Sequence, residues 1–314
     1  MNASVSALGR RPARQPNMRG ASRVLLYVAI ALGAIVISLP WWWMVLSGFK
    51  SYHDLHSVPL HIFPKKVVWY NYYEAFFPPM SKAEGEQRQT EIFWPVWIRN
   101  TFIIAIFTEI GVLVSNSLVA FSLSRLRWPG RNLFFFFVLA MMFLPGQVTM
   151  IPKYILFTKV FHWANTWYPQ IVPAFFGASG RIFLLRQFMM TIPVEIDESA
   201  RLDGCTDLQL FLRLILPMSA PALGAIAIFT FSSVWNDYFT PLLYIRSDEL
   251  RNVAHGLAQL RVIKPLYGDL MFPRDELTMA GATIVSLPLV VLFFLFQKHY
   301  IQGVVITGAK GRLA

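Results

Sequence analysis

The chain has 314 residues, of which 55% are hydrophobic and only 14% are charged, and its formal net charge is +11. Soluble domains carry about 25% charged residues, so this composition, with a mean hydropathy of +0.49, excludes an ordinary water-soluble enzyme. The basic residues lie between apolar blocks and form no continuous stripe, which favours membrane orientation over nucleic-acid binding as the reason for the charge. The single cysteine, Cys205, excludes an intrachain disulfide.

Six uncharged or nearly uncharged runs are long enough to cross a bilayer, which needs about 20 apolar helical residues. They are residues 24–49, 100–124, 132–152, 160–180, 214–245 and 277–297. Alternating segments of the barrel type are absent from the sequence, and backbone groups in lipid must be paired within a helix or a closed barrel. The sequence therefore predicts an all-α polytopic membrane protein with six transmembrane helices.

The first run is flanked unequally by basic residues. Five arginines precede it, whereas only Lys50 follows it closely. A cleaved signal peptide has a similar basic start, but its apolar core is usually only about 7–15 residues long and a small-residue cleavage site follows it. We therefore interpret this run as a retained membrane helix. The positive-inside rule then predicts that the N-terminus and, after six spans, the C-terminus are cytoplasmic.

This topology divides the chain into segments. The prediction assigns a cytoplasmic tail to residues 1–23, the first transmembrane helix to 24–49, an external loop to 50–97, a core with five transmembrane helices to 98–300, and a second cytoplasmic tail to 301–314. The core contains a cytoplasmic loop at residues 189–216 and an external segment at 246–276. Within the first external loop, the charged and polar stretch 80–91 resembles an insertion, and its role is not indicated by the sequence.

The cytoplasmic loop has strong local signals. Pro193 suits the start of a helix and Gly204 suits a left-handed helix end, so a helix of about ten residues is expected between them. Thr206 and Gln209 have the spacing of a capping box, and apolar residues then recur at helical spacing as far as Pro217. The loop is predicted to be a helix, a glycine corner and a second helix, which together form a rigid projection into the cytoplasm.

The same loop resembles the signature of ABC-importer permeases, in which Glu-Ala-Ala is followed after three residues by Gly and, nine residues later, by Ile-x-Leu-Pro. Ser199 and Leu214 depart from that pattern by small changes of similar size. On an arbitrary loop Glu198 would be an ordinary carboxylate on a helix face, but the matched spacing favours a functional role. The resemblance implies that the loop couples the chain to a separate ATPase subunit through Glu198, Ser199, Ala200, Asp203, Gly204, Leu216 and Pro217.

The resemblance continues in order over roughly residues 94–311 and narrows to the second membrane subunit of carbohydrate importers, the maltose-transporter G-subunit type. The matching stretches are residues 125–131, 141–146, 235–237, 241–243 and 307–311, together with Gly303. This family implies the ABC type I importer permease fold, a multi-pass location in the bacterial inner membrane, and import of an oligosaccharide or sugar derivative. The implied partners are a second permease subunit, two ATPase subunits, an external solute-binding protein, the carbohydrate substrate and the lipid bilayer.

Energy must come from a partner, because the sequence contains no Gly-x4-Gly-Lys-Ser/Thr phosphate loop. We therefore expect a non-catalytic subunit without a bound cofactor, with ATP and Mg used by the partner ATPase. The resemblance implies that the tail residues Gly308, Lys310 and Gly311 reach toward that ATPase. It also implies that the external segment contacts the binding protein, with the candidate residues Leu260, Pro265, Tyr267 and Gly268.

Five residues in or near the predicted spans are candidates for the translocation pathway: Glu109, Arg181, Trp235, Asn236 and Asp237. Ionisable residues inside a membrane are functional candidates by default. Structural alternatives stay open for each. Asp237 could cap or pin a neighbouring helix, Trp235 could be an interfacial anchor, Arg181 could extend to the cytoplasmic face, and Glu109 could pair helices.

Other classes of function are less well supported by the sequence. A secondary transporter would need midplane sites on broken helices and often has inverted repeats, whereas no internal repeat is visible. A membrane-embedded enzyme would need clustered catalytic groups, whereas the charged residues of the spans are scattered. No metal is expected, because His53, His56 and His61 have irregular spacing and lack the cysteine or carboxylate cluster of a metal site.

Overall fold

The computed structural model describes residues 20–77, 94–260 and 274–308. Within these ranges the secondary structure is helical and contains no strand. The α-helices are α1 (Gly20–Gly48), α2 (Tyr52–Leu55), α3 (Tyr70–Phe76), α4 (Trp94–Arg125), α5 (Arg131–Met142), α6 (Gly146–Ile155), α7 (Tyr168–Ile171), α8 (Ser179–Met189), α9 (Glu195–Leu202), α10 (Asp207–Leu210), α11 (Leu216–Met218), α12 (Ala220–Trp235), α13 (Phe239–Tyr244), α14 (Val253–Leu260) and α15 (Asp275–Gly308). π-helical turns extend α6 (Leu156–Val160) and α10 (Phe211–Ile215), and 3₁₀ turns follow α7 (Val172–Phe176) and precede α14 (Asp248–Leu250).

Three helices in the described ranges are long and apolar enough to cross a membrane: Ser22–Gly48, Trp94–Arg125 and Asp275–Phe296. Two bent pairs also qualify if each is one span, which raises the number to five. One pair is α5 with α6 and its π turn, bent by 97°, and the other is α10 to α11 with α12, bent by 73°. The total of six spans and the cytoplasmic termini stay predictions.

Three of the predicted spans are not continuous helices in the structure. The run 132–152 is divided where α5 ends, and Pro145 precedes α6 with an extended backbone. The run 160–180 is divided by the loop before α7 and by Gly177, whose φ is +81°. The run 214–245 bends before α12 and is interrupted again between α12 and α13. A run without charges shows that a segment can lie in lipid, but it does not show where a helix ends. Helix ends depend on proline and on glycine with a positive φ.

The helix α4 is the central element of the fold. It packs against α8, α12, α14 and the 3₁₀ turn that follows α7. The main core cluster lies where α4 meets α8, α9, α10 and α12, and it includes Phe121, Leu185, Leu210 and Ile215. A second cluster joins Trp94 and Trp97, at the start of α4, to α14. Because lipid is as apolar as these side chains, close packing rather than transfer from water holds the helices together.

Two elements lie at the periphery. The helix α1 packs mainly along α15, and most of its apolar side chains are exposed. The helix α5 contacts α8 and has no buried residue. Apolar surface of this extent requires lipid or another membrane subunit to cover it.

Candidate functional site

The loop between α8 and α12 folds as a helix, a corner and a second helix, which confirms the prediction from its local signals. The helix α9 ends at Leu202, and Gly204 turns the chain with φ of +82°. The Thr206 hydroxyl accepts a hydrogen bond from the Gln209 backbone N–H (3.3 Å), and the Gln209 side chain accepts one from the Thr206 N–H (2.9 Å). This capping box begins α10. We call residues 193–212 the projection.

A buried ion pair fixes the projection to the end of α4. Arg125 Nη1 lies 3.2 Å from Asp197 Oδ2, and the two side chains are only 3% and 8% exposed. Arg125 Nη2 donates to the carbonyl oxygen of Ile192 at 2.7 Å and also to that of Met189. One guanidinium therefore ties together the end of α4, the end of α8 and α9. No local pattern pairs Arg125 with Asp197, which are 72 positions apart.

The inner face of the projection is part of the main core. Ala200 is buried and belongs to the same cluster as Leu210 and Phe211. Its carbonyl oxygen accepts a hydrogen bond from the Cys205 N–H at 2.9 Å, which closes the glycine corner. Because α9 lies directly on this core, a small residue is needed at position 200.

The outer face of the projection combines carboxylates with large apolar side chains. Glu198, Ser199 and Asp203 are exposed. Leu202 is 89% exposed and Leu208 is 62% exposed. Large apolar side chains held outward on a rigid support are typical of a protein-docking surface.

The remaining predicted coupling residues lie at the base of the projection. Leu216 packs against the main core cluster, and Pro217 is exposed within α11. Both precede the 73° bend into α12. The predicted coupling residues therefore lie in four places: the outer face of the projection, its buried inner face, the glycine corner and the base.

Two of the pathway candidates are brought together. Glu109 in α4 and Arg181 in α8 interact electrostatically, although they are distant in sequence. Both carboxylate oxygens of Glu109 are buried and have no hydrogen-bond partner in the described part of the chain. Glu109 lies in α4, which is long and apolar enough to cross a membrane, where such groups are costly.

The other three pathway candidates make structural contacts. Trp235 is buried, packs on Phe102, and donates from Nε1 to the Val285 carbonyl oxygen at 3.0 Å. The Asn236 side chain is exposed and bonds back to α12. Asp237 Oδ1 accepts a hydrogen bond from the Thr240 N–H at 3.0 Å, where α13 begins. This bond to the first turn of α13 is consistent with the structural alternative for Asp237, and its place in the pathway stays a prediction.

Several predicted contacts lie outside the described residues. Leu260 ends α14, but Pro265, Tyr267 and Gly268 fall in the range 261–273. Gly308 is the last residue of α15, whereas Lys310 and Gly311 follow the described part of that tail. The stretch 80–91 also falls outside it. In the ranges that are described, no group of three or more His, Cys, Asp or Glu residues could hold a metal ion.

The helix α14 is firmly held on the start of α4. Asn100 Nδ2 donates to the carbonyl oxygens of Glu249 (2.6 Å) and Arg251 (2.9 Å). A Cβ atom on Gly256 would overlap the Trp97 ring, so glycine permits the close approach. Burial lowers the pKa of His255 to about 4; the charge of Arg251 adds to this effect, and Asp248 opposes it.

The profile of a protein family described as "Binding-protein-dependent transport system inner membrane component" matches residues 110–306, which is more than half of the chain. This protein belongs to that family, and it is accordingly a membrane component of a transport system.

Its relatives and structural neighbours are similar over almost their whole lengths. The arabinooligosaccharides transport system permease protein of Halalkalibacterium halodurans is 29% identical over 91% of this chain and 96% of that protein. The trehalose/maltose transport system permease protein of Thermococcus litoralis is 27% identical over 92% and 97%. A solved chain of a bacterial ABC transporter involved in the import of the acidic polysaccharide alginate has a TM-score of 0.73 at 21% identity, over 91% of this chain and all of that chain. The last comparison shows that the fold is that of an ABC importer permease.

Proposed function

We propose that this protein is one of two permease subunits of an ATP-driven, binding-protein-dependent importer of a carbohydrate in the bacterial inner membrane. It would form half of the translocation pathway, while two partner ATPase subunits bind ATP and Mg. The observation that carries this proposal is the projection, which presents a mixed apolar and acidic outer face and is pinned to α4 by the buried Arg125–Asp197 pair.

The proposed mechanism is mechanical. The ATPase pair binds ATP differently in its open and closed states, and its closure moves the projection. Because α9 is bonded to α4 and packed on the core shared with α8 and α12, it would move with these helices as one body. The result would be an exchange between inward-open and outward-open states of a pathway near Glu109 and Arg181.

The proposed topology has six spans and cytoplasmic termini. Five spans are available among the described helices when the bent pairs are counted. We place the sixth in the interrupted segment from α7 to α8, since both its 3₁₀ turn and α8 pack along α4.

The substrate proposal rests on what the relatives transport. Their printed names include arabinooligosaccharides and trehalose/maltose, and the structural neighbour takes part in alginate import. A permease protein of Agrobacterium fabrum, 26% identical, is named for sn-glycerol-3-phosphate. We therefore propose an oligosaccharide or sugar derivative as the substrate class.

The coupling role is tested at the most exposed apolar side chain of the projection. Leu202→Asp should reduce recovery of the ATPase subunits with the purified chain on the order of tenfold, because a charge would be placed in the docked interface. Ile62→Asp, at an exposed position in the first external loop, is the matched control and should change nothing. Equal recovery with both variants, at equal levels of membrane-inserted chain, would contradict the proposal.

The external segment is proposed to contact the binding protein through residues 260–268. Deleting these residues should abolish the stimulation of ATP hydrolysis by the sugar-loaded binding protein while basal hydrolysis stays. Unchanged stimulation would remove this part of the proposal.

The tail residues Gly308, Lys310 and Gly311 are proposed to contact the ATPase subunits, so truncation of the chain before Gly308 should weaken recovery of those subunits.

A further inference from the structure

The turn between α4 and α5 lines a basic cavity of about 240 Å³. The cavity is bounded by Arg127, Trp128, Gly130, Arg131, Asn132 and Leu133. None of these side chains is acidic, and the sequence contains no Asp or Glu from position 110 to 194. The positive charge of the cavity is therefore not neutralised by its own stretch of the chain.

Two arginines, Arg127 and Arg131, line this cavity and keep donors that are not used within the described part of the chain. Arg127 is exposed and makes no ion pair or hydrogen bond to other described residues. Arg131 uses Nη1 to donate to the Leu126 carbonyl oxygen at 2.9 Å. Arg186 of α8 lies 3.9 Å over the Phe135 ring, and its charge repels that of Arg131. An anion in the cavity would accept charge-assisted hydrogen bonds from Arg127 and Arg131 and would lower the repulsion between Arg131 and Arg186.

Neighbouring Arg125 does not add to the positive charge of the cavity that is left without an acidic partner. Its charge is matched by Asp197, and its Nη2 donates to the carbonyl oxygens of Met189 and Ile192. The sequence stretch 125–131 thus has two separate tasks, since its first arginine holds α9 while Arg127 and Arg131 face the cavity.

The cavity lies beside an apolar surface. No residue of α5 is buried, and Phe134 and Phe137 are about half exposed. The Trp128 ring meets Phe134 edge-on at 6.0 Å, and its Nε1 donates to Ser122 Oγ at 3.1 Å. Tryptophan and arginine beside a lipid-facing helix are the residues found at the headgroup level of a bilayer. An anion in this cavity would therefore lie at that level.

We propose that this cavity binds the phosphate of an anionic phospholipid, with Arg127 and Arg131 as the charged ligands and the acyl chains along the phenylalanine face of α5. No side chain caps α5, and the Arg131 N–H already donates to the Trp128 carbonyl oxygen. The backbone N–H groups of Asn132 and Leu133 supplement the arginines. Lipid binding at this cavity is a property separate from the proposed transport function, and it does not depend on that function.

The test measures lipid binding to the full chain, purified in mild detergent with any subunits that accompany it and then stripped of lipid. Native mass spectrometry would follow titration with dioleoylphosphatidylglycerol and, separately, with zwitterionic dioleoylphosphatidylcholine. The wild type should prefer the anionic lipid, and Arg127→Gln/Arg131→Gln should bind it about 30-fold more weakly. Arg127→Gln alone should weaken binding about fivefold, and because this side chain has no described partner, the fold should be unaffected.

The control is Lys159→Gln/Arg246→Gln, which removes the same charge from two exposed positions elsewhere and should leave binding unchanged. Equal affinity of the wild type and the double variant for phosphatidylglycerol would overturn the proposal. Displacement of the lipid by inorganic phosphate alone would overturn it in favour of a free anion. Absence of lipid whenever a second membrane subunit is bound would overturn it in favour of a protein cover on α5.

Discussion

Arg125 shows how one side chain can be decisive without touching a substrate. Its removal would leave the buried Asp197 carboxylate without its cationic partner. It would also leave the carbonyl oxygens of Met189 and Ile192 without that donor. An uncompensated buried charge costs about 3–5 kcal/mol, whereas an exposed ion pair contributes about 0–1 kcal/mol.

Arg125→Gln should therefore lower the free energy of unfolding by about 3 kcal/mol. Arg201→Gln, which breaks the exposed ion pair with Asp207, is the control and should cost less than about 1 kcal/mol. Asp197→Asn alone should also destabilise, and the double variant Arg125→Gln/Asp197→Asn should lose less than the sum of the two single losses. Thermal unfolding of the purified chain measures all four variants. Strictly additive losses would show that the two side chains do not act as a pair.

Because His255 in α14 is buried, we expect the stability of the folded chain to depend on pH. Burial lowers its pKa from 6.5 to about 4 in the folded chain. Between these values the unfolded chain binds a proton that the folded chain does not, so stability is complete above about pH 6.5 and falls by up to about 3 kcal/mol toward pH 4. In His255→Leu the unfolding temperature should change less between pH 6.5 and pH 4 than it does in the wild type. Parallel curves of unfolding temperature against pH for the two proteins would contradict the assignment.

At the scale of elements, the corner between α9 and α10 depends on the backbone of one residue. Gly204 has φ of +82°, and a Cβ atom there would meet no other atom within 4 Å. The cost of a side chain is therefore conformational rather than steric. For L-residues this conformation costs about 1–2 kcal/mol.

Gly204→Ala should accordingly lower the free energy of unfolding by about 1 kcal/mol, and Gly204→Asn should cost less, because asparagine adopts this conformation more readily. Gly180→Ala is the matched control, since Gly180 also has open space around it but lies within α8. That substitution should be neutral or stabilising. If both alanine variants lost the same stability, the strained corner would not be the cause.

The divided spans illustrate a second property of elements. The runs 132–152 and 160–180 are uncharged, yet neither forms one helix. Pro145 cannot continue an upstream helix, and Gly177 allows the chain to leave one. The break before α6 bends it by 97° from α5. The helix α8, which begins after Gly177, provides a packing surface for both α4 and α5.

At the scale of the whole molecule, chemical labelling of the single cysteine can show which side of the membrane the projection faces. Cys205 lies in the projection and is partly exposed. A membrane-impermeant maleimide should label it in inverted membrane vesicles and not in right-side-out vesicles, and bound ATPase subunits should slow the reaction. Labelling after detergent solubilisation confirms that the thiol is reactive. Labelling in right-side-out vesicles would place the projection outside and contradict the proposed topology.

Much of this molecule was predictable because its signals are local. Composition and the long uncharged runs determine a helical membrane protein, since backbone groups in lipid must be paired within each segment. The capping box at Thr206 and Gln209 and the turn at Gly204 involve residues within a few positions of each other, so they are visible in the sequence and present in the structure. The spacing around Glu198 and Gly204 also pointed to the family to which the chain belongs.

Only the tertiary structure decided which distant side chains meet. The Arg125–Asp197 pair, the Glu109–Arg181 interaction and the burial of Trp235 against α4 and α15 each join residues from separate helices. Such contacts depend on where each helix breaks and on the packing of α4 against its neighbours, and no periodicity within one segment encodes them. The sequence by itself therefore determined the class of protein and the local shape of its projection, whereas the packing of the helices determined what holds that projection in place.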